Sequence, residues 1–245
     1  MSGHNKWSTI KRKKGANDAK RSKMFSKIIK EITVAVKEGG ADPDANPRLR
    51  MAITNAKGVS MPKDNIQRAI NKGKDKDSAN FTEVSYEGYA AHGIAVFVEC
   101  TTDNLQRTIA NVRAAFNKYN GSLGKNGSLA FLFDRKAIFT LNEVDANEDF
   151  ELEVIDAGAE DYEVEDGIIT ITTSFEDFGN MMSKLEELNI EPTSAEIQRI
   201  PNNTESLSVD NARSVLKLID VLEDDDDVVN VFHNLEVPEE LINEM

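Results

Sequence analysis

The apolar positions of the first eighty residues recur with a helical period, whereas the remainder alternates between helical and strand periods. From Asn17 or Asp18 to about Lys37, the residues Met24, Phe25, Ile28, Ile29, Ile32, Ala35 and Val36 fall on one helical face. Gly39-Gly40 stops that run. Two shorter helices follow. Pro47 suits the first turn of one, with Asn46 as its cap and an end near Gly58. Pro62 opens the other, which turns Ile66, Ala69 and Ile70 inward and ends near Gly73. Residues 1–16 keep no period and read as an arm, and the polar stretch Lys74–Asn80 reads as a linker.

Beyond residue 80, strand-like runs cover Val84–Tyr89, Ile94–Cys100, Leu129–Phe133, Ala137–Leu141, Tyr162–Glu165, Ile168–Thr173, Ala195–Ile200 and Val228–Phe232. Helical patterns cover Asn104–Tyr119, Asn147–Gly158, Phe175–Leu188 and Val209–Leu222. Residues 137–200 run β-α-β-β-α-β, the ferredoxin-like order, with a short-hairpin signal at Glu165-Asp166-Gly167. The elements on either side of that insert would complete a second, discontinuous α/β unit. The expected fold is therefore multidomain α+β. A three-helix domain at 1–80 precedes a discontinuous α/β domain at 81–135 plus 205–245, and a ferredoxin-like domain at 136–204 is inserted in the latter.

Charge sharpens this division. Residues 1–80 carry 19 Lys and Arg against 8 Asp and Glu, a balance of 19 − 8 = +11, and the rest carries 10 against 35, or −25, summing to −14. A basic block of this kind most often meets phosphate. Lys20, Lys23, Lys27, Lys30 and Lys37 form a stripe nearly opposite the apolar face of the first helix. Lys6, Lys11, Arg12, Lys13 and Lys14 add to it from the arm, together with Arg21. Trp7 among those cations could stack on an unpaired base or pin the arm to the helices. Arg48, Arg50, Lys57, Lys63 and Arg68 extend the positive surface. Backbone phosphate is the natural counter-charge, and contacts to it are largely independent of sequence. The acidic remainder could face a basic protein partner.

Catalytic chemistry finds little support. The glycines of GSLGKNG (Gly121, Gly124, Gly127) follow a helix and precede a strand, the reverse of a dinucleotide-binding loop, so a flexible turn is expected, with Lys125 as a candidate phosphate contact. The run Glu223–Asp227 lacks calcium-loop spacing and reads as a solvated turn that would repel stray nucleic acid. His4, His92 and His233 lie far apart, and Cys100 closes an apolar strand, where a buried thiol is expected. No enzyme activity, metal or cofactor is expected. A single cysteine, no apolar run near ~20 residues and no apolar segment at the N-terminus point to a cytoplasmic protein away from the membrane.

Several segments resemble the YebC/PmpR family. They are GHNKWSTIKRKKGANDAKRSKMFSKIIKEI (Gly3–Ile32), DPDANPRLR (Asp42–Arg50), MPKDNIQRAI (Met61–Ile70), YEGY (Tyr86–Tyr89), VECTTDN (Val98–Asn104), FDRK (Phe133–Lys136) and LEDDDDVVNVFHN (Leu222–Asn234). In place of a glycine-rich turn after YEGY stands Ala90-Ala91-His92-Gly93, and Asn5 replaces a serine. The resemblance implies a cytoplasmic protein of three domains. Members are commonly described as probable DNA-binding transcriptional regulators, a mitochondrial relative as a translational activator of cytochrome oxidase subunit I, and some bacterial members as ribosome-associated factors. The expected role is thus a nucleic-acid-binding regulator of gene expression. The expected target is DNA, with an RNA-binding translation factor on ribosomal RNA as the alternative. The residues expected to touch nucleic acid are Lys6, Trp7, Lys11, Arg12, Lys13, Lys14, Lys20, Arg21, Lys23, Lys27 and Lys30.

Overall fold

A computed structural model describes residues 18–75, 80–142 and 144–244, with the backbone alone for 18–20. The chain is α+β, with N-terminal helices ahead of two sheet-containing parts. By compactness the described residues divide into two units: 18–27, 80–134 and 201–244, and 28–75 and 135–200.

Helix α1 spans Asp18–Gly39, α2 Pro47–Gly58 and α3 Lys63–Lys74. Asn46 caps α2 as expected. Its Oδ1 accepts from Leu49 N at 3.0 Å, while its Nδ2 donates to the carbonyls of Ala35 (2.7 Å) and Gly40 (2.8 Å). One side chain thus starts α2 and satisfies carbonyls at the end of α1. Gly73 lets α3 approach α1 closely, since a Cβ there would stand 2.6 Å from Val36 Cβ. The turn after α2 is a Schellman arrangement, with Met61 N donating to Ala56 O (2.9 Å) and Ser60 N to Lys57 O (2.8 Å). Ser60 takes the left-handed position at φ 56°.

The first sheet is ordered β3-β1-β2-β9, from β1 (Thr82–Tyr89), β2 (Ala95–Thr102), β3 (Ser122–Leu123) and β9 (Val228–His233). All its pairings are antiparallel. Strand β2 is buried on both faces. Val96, Val98 and Cys100 face α4 (Leu105–Lys118) and α7 (Val209–Glu223), with Phe116 and Leu218 fully buried there. Ala95 and Phe97 face Leu129, Phe133 and Phe232 on the other side. The sheet draws strands from both sides of the second sheet in sequence.

The second sheet is ordered β5-β6-β4-β7, from β4 (Phe133–Asn142), β5 (Ala159–Glu165), β6 (Ile168–Ser174) and β7 (Ser194–Pro201). Together with α5 (Glu148–Asp156) and α6 (Phe178–Glu187) this is the ferredoxin-like arrangement. Ala137, Phe139, Leu141, Ile169 and Ile171 meet Phe150, Val154, Met181 and Leu185. The β5–β6 hairpin turns at Asp166 (φ 53°) and Gly167 (φ 76°), two positive angles matching the twist of the strands. Edge strand β7 is closed by Asn55 of α2, which donates to Ala195 O and accepts from Ala195 N, both at 2.9 Å. A side-chain amide here supplies the pair of bonds a neighbouring strand would make.

One local expectation fails. Leu129–Phe133 is no strand before β4: Leu132 N donates to Leu129 O at 2.9 Å and Ala130–Leu132 forms a tight 3₁₀ turn. The two-residue strands β8 (Glu205–Ser206) and β10 (Leu235–Glu236) pair in parallel, too short to leave any period in the sequence.

Cys100 is buried, and its surroundings make a prediction. Burial, and then the Asp225 and Asp227 carboxylates, push its thiol up to about 12. In the unfolded chain the thiol ionises near its ordinary value while the folded protein still holds the proton. The stability this confers is complete below about pH 9 and is lost as pH rises through the folded value, at about 1.4 kcal/mol per pH unit. Urea unfolding of Cys100→Ala should lack that alkaline slope; equal slopes in both proteins would refute the assignment.

Candidate nucleic-acid interface

Of the eleven expected contact residues, Lys6, Trp7, Lys11, Arg12, Lys13 and Lys14 lie outside the described residues. Lys20, Arg21, Lys23, Lys27 and Lys30 lie on α1. The Arg21 guanidinium stands 5.5 Å from the centre of the Phe25 ring and remains exposed. Lys30 is half-buried.

Lys23 and Lys27 are committed to protein. Lys23 Nζ reaches Asp224 Oδ1 at 2.8 Å and Asp224 O at 3.2 Å, and Lys27 Nζ donates to Glu223 O at 2.8 Å. These carbonyls end α7, where the helix dipole is negative, so the two ammonium groups cap it from α1. Burial draws the Lys27 amine below the usual lysine range, and the Glu223 carboxylate is the strongest opposing attraction. A lysine stripe read from one helix says nothing of an acidic partner about 200 residues away; the only hint was that both extremes of charge occur in one chain.

The acidic run forms the expected turn, with Asp224 and Asp226 exposed, but it is not solvated throughout. Asp227 is only 3% exposed and fixes the turn from within. Its carboxylate accepts from Arg107 Nη2 (2.7 Å to Oδ2), Arg107 Nε (3.0 Å) and the Thr108 hydroxyl (3.0 Å). Asp225 accepts from Asp227 N and Asn111 Nδ2, each at 2.9 Å. Among the described residues, no group of three or more His, Cys, Asp or Glu side chains is placed to hold a metal.

The GSLGKNG loop is likewise anchored rather than loose. Glu87, 2% exposed, accepts from Gly127 N (2.7 Å) and Leu129 N through its carboxylate, and from Gly124 N (2.7 Å) through its carbonyl. Lys125 stands exposed in that loop. Within the resembling segments, the glutamate of YEGY and the last aspartate of LEDDDD are thus structural. In FDRK, Arg135 lies 4.0 Å over the Phe175 ring.

Basic residues of α2 are also partnered. Arg48 binds Glu38 at 2.6 Å, Arg50 lies 3.5 Å from Glu186, and Lys57 pairs with Glu191. Helix α3 differs: Lys63, Gln67, Arg68, Asn71, Lys72 and Lys74 are exposed. Lys63, Lys72 and Lys74 make no ion pair among the described residues.

A helical module rich in cations, joined to two sheet-containing parts of which one is ferredoxin-like, defines the class. Residues 5–76 match the TACO1/YebC protein N-terminal domain and residues 81–235 match the TACO1/YebC second and third domain, so the chain belongs to the TACO1/YebC family. A protein of Amoebophilus asiaticus called a probable transcriptional regulatory protein is 56% identical over 239 residues, covering 96% of this chain and 98% of its own. One of Geotalea uraniireducens with the same description is 49% identical over 247 residues, covering all of both chains. The crystal structure of a conserved hypothetical protein from Aquifex aeolicus superposes with a TM-score of 0.81 at 42% identity, over 91% of this chain and 93% of that one. Among the described residues no helix is long and apolar enough to cross a membrane.

Proposed function

We propose that this protein is a regulator of gene expression that binds nucleic acid through residues 1–80 and acts on DNA as a transcriptional regulator. The observation that carries the reading is the +11 balance of residues 1–80 (19 − 8) in a chain whose net charge is −14. The description shared by its relatives, probable transcriptional regulatory protein, supports the same reading. Lys6, Lys11, Arg12, Lys13, Lys14, Lys20, Arg21 and Lys30 supply phosphate contacts, with Trp7 stacking beside them. Lys23 and Lys27 join only by releasing the acidic turn, and Lys23 does so more readily because its amine is the more exposed of the two.

Replacing Lys6, Lys11, Arg12, Lys13 and Lys14 together by Gln tests this. Affinity for every duplex sequence is expected to fall alike, and the log–log salt slope to shrink by about four. Unchanged affinity and slope, measured by fluorescence anisotropy on a folded variant, would remove these residues from the interface.

A further inference from the structure

We propose that α3 is the helix that reads DNA sequence, entering the major groove with Gln67 and Asn71 toward the base edges; this rests on the DNA-binding reading above. Four observations converge on it. First, α3 follows α2 across the four residues 59–62, whose Schellman bonds and left-handed Ser60 set its direction, the connection length of a helix-turn-helix. Second, α3 has 12 residues, about 18 Å of helix, and buries only Ile66, Ala69, Ile70 and Gly73.

Third, the exposed face has an ordered chemistry. Gln67 and Asn71 lie one turn apart between its two flanks, joined by a Gln67 Nε2 to Asn71 Oδ1 bond of 3.2 Å, with the exposed Asp64 carboxylate beside them. At roughly 100° per residue, Lys63 and Lys74 fall on one flank and Arg68 and Lys72 on the other. Carboxamides are the side chains that match adenine in the major groove, and flanking cations match the two phosphate backbones. Fourth, the cations of α2 are occupied. Arg48 and Lys57 pair with Glu38 and Glu191, whereas among the described residues Arg68 reaches the Asp64 carbonyl and Asn65 Oδ1. The major groove of A-form RNA is too deep and narrow for a helix, so the occupant is duplex DNA.

The experiment selects bound fragments from a random duplex DNA pool with the full-length protein and with Gln67→Ala/Asn71→Ala. Anisotropy titrations are then run on the selected and random duplexes, and circular dichroism checks folding. The double variant is expected to lose about tenfold or more on the selected sequence while holding random duplex within about twofold. Lys63→Glu/Lys72→Glu should weaken both duplexes alike and reduce the salt slope by about two. Wild-type affinity for the selected duplex in both variants overturns the role of α3 but leaves DNA binding through the other cations standing. A wild-type protein that enriches no duplex and prefers structured RNA or a protein overturns both.

Discussion

Asp227→Ala is expected to lower stability to urea by about 3 kcal/mol, since a buried acceptor of charge-assisted bonds is lost and Thr108 is left beside a cavity. Four protein bonds converge on the Asp227 side chain, from Arg107 and Thr108. Its backbone carbonyl also accepts from Thr101 N at 2.8 Å, joining the turn to the end of β2. Asp227→Asn keeps the shape but presents donors to donors, so it should recover only part of the loss. Because Arg107 and Asp227 act as one unit, Arg107→Ala added to Asp227→Ala should cost less than the sum of the two. The effect should reach α1. The turn that Asp227 braces presents the Glu223 carbonyl and Asp224 to Lys27 and Lys23, so amide exchange at the start of α1 should quicken in Asp227→Ala. Wild-type stability in this variant would show that the buried network is only incidental packing.

Glu87→Ala should cost a similar amount, about 2–3 kcal/mol, for a different reason. Among the described residues this carboxylate makes no ion pair; its work is to accept the Gly127 and Leu129 N–H groups. Removing it orphans a buried donor at Leu129, which is 1% exposed. Glu87→Gln retains one good acceptor and turns an amide N–H₂ toward the other N–H, so rescue should be partial. The loop from Gly121 to Leu129 should lose exchange protection in both variants, while the ferredoxin-like sheet keeps its own. Equal stability of Glu87→Ala and wild type under urea would contradict the assignment.

How much could be read from the chain depends on the range of the interaction. The end of α1 was legible because Gly39-Gly40 stops a helix, a local effect. The β5–β6 hairpin was legible because Asp166-Gly167 suits two consecutive left-handed residues. The ferredoxin-like order followed from alternating periods, each set by its own segment. Leu129–Phe133 was misread because Glu87, about forty residues earlier, captures Leu129 N and the chain turns back on itself. Phe131, in the middle of that apolar run, is 73% exposed.

The candidate site was legible as composition and less so as geometry. The lysine period of α1 is real, yet Lys23 and Lys27 already hold the end of α7, a contact no local pattern encodes. Conversely, α3 was read as a short helix with two cations, Lys63 and Arg68, extending a positive surface. Its Gln67–Asn71 pair gained meaning only once Ile66, Ala69, Ile70 and Gly73 were seen buried and the cations of α2 seen paired.

The most direct test of the nucleic-acid role titrates the purified full-length chain against duplex DNA, structured ribosomal RNA and intact ribosomes at several salt concentrations. A protein holding the eight phosphates assigned to the arm and α1 should lose roughly four decades of random-duplex affinity between about 50 and 200 mM salt. The expected result is that one selected DNA fragment stays bound near physiological salt while random duplex, RNA and ribosomes fall away. Ribosomes retained while every duplex is lost would contradict it and make the protein a translation factor.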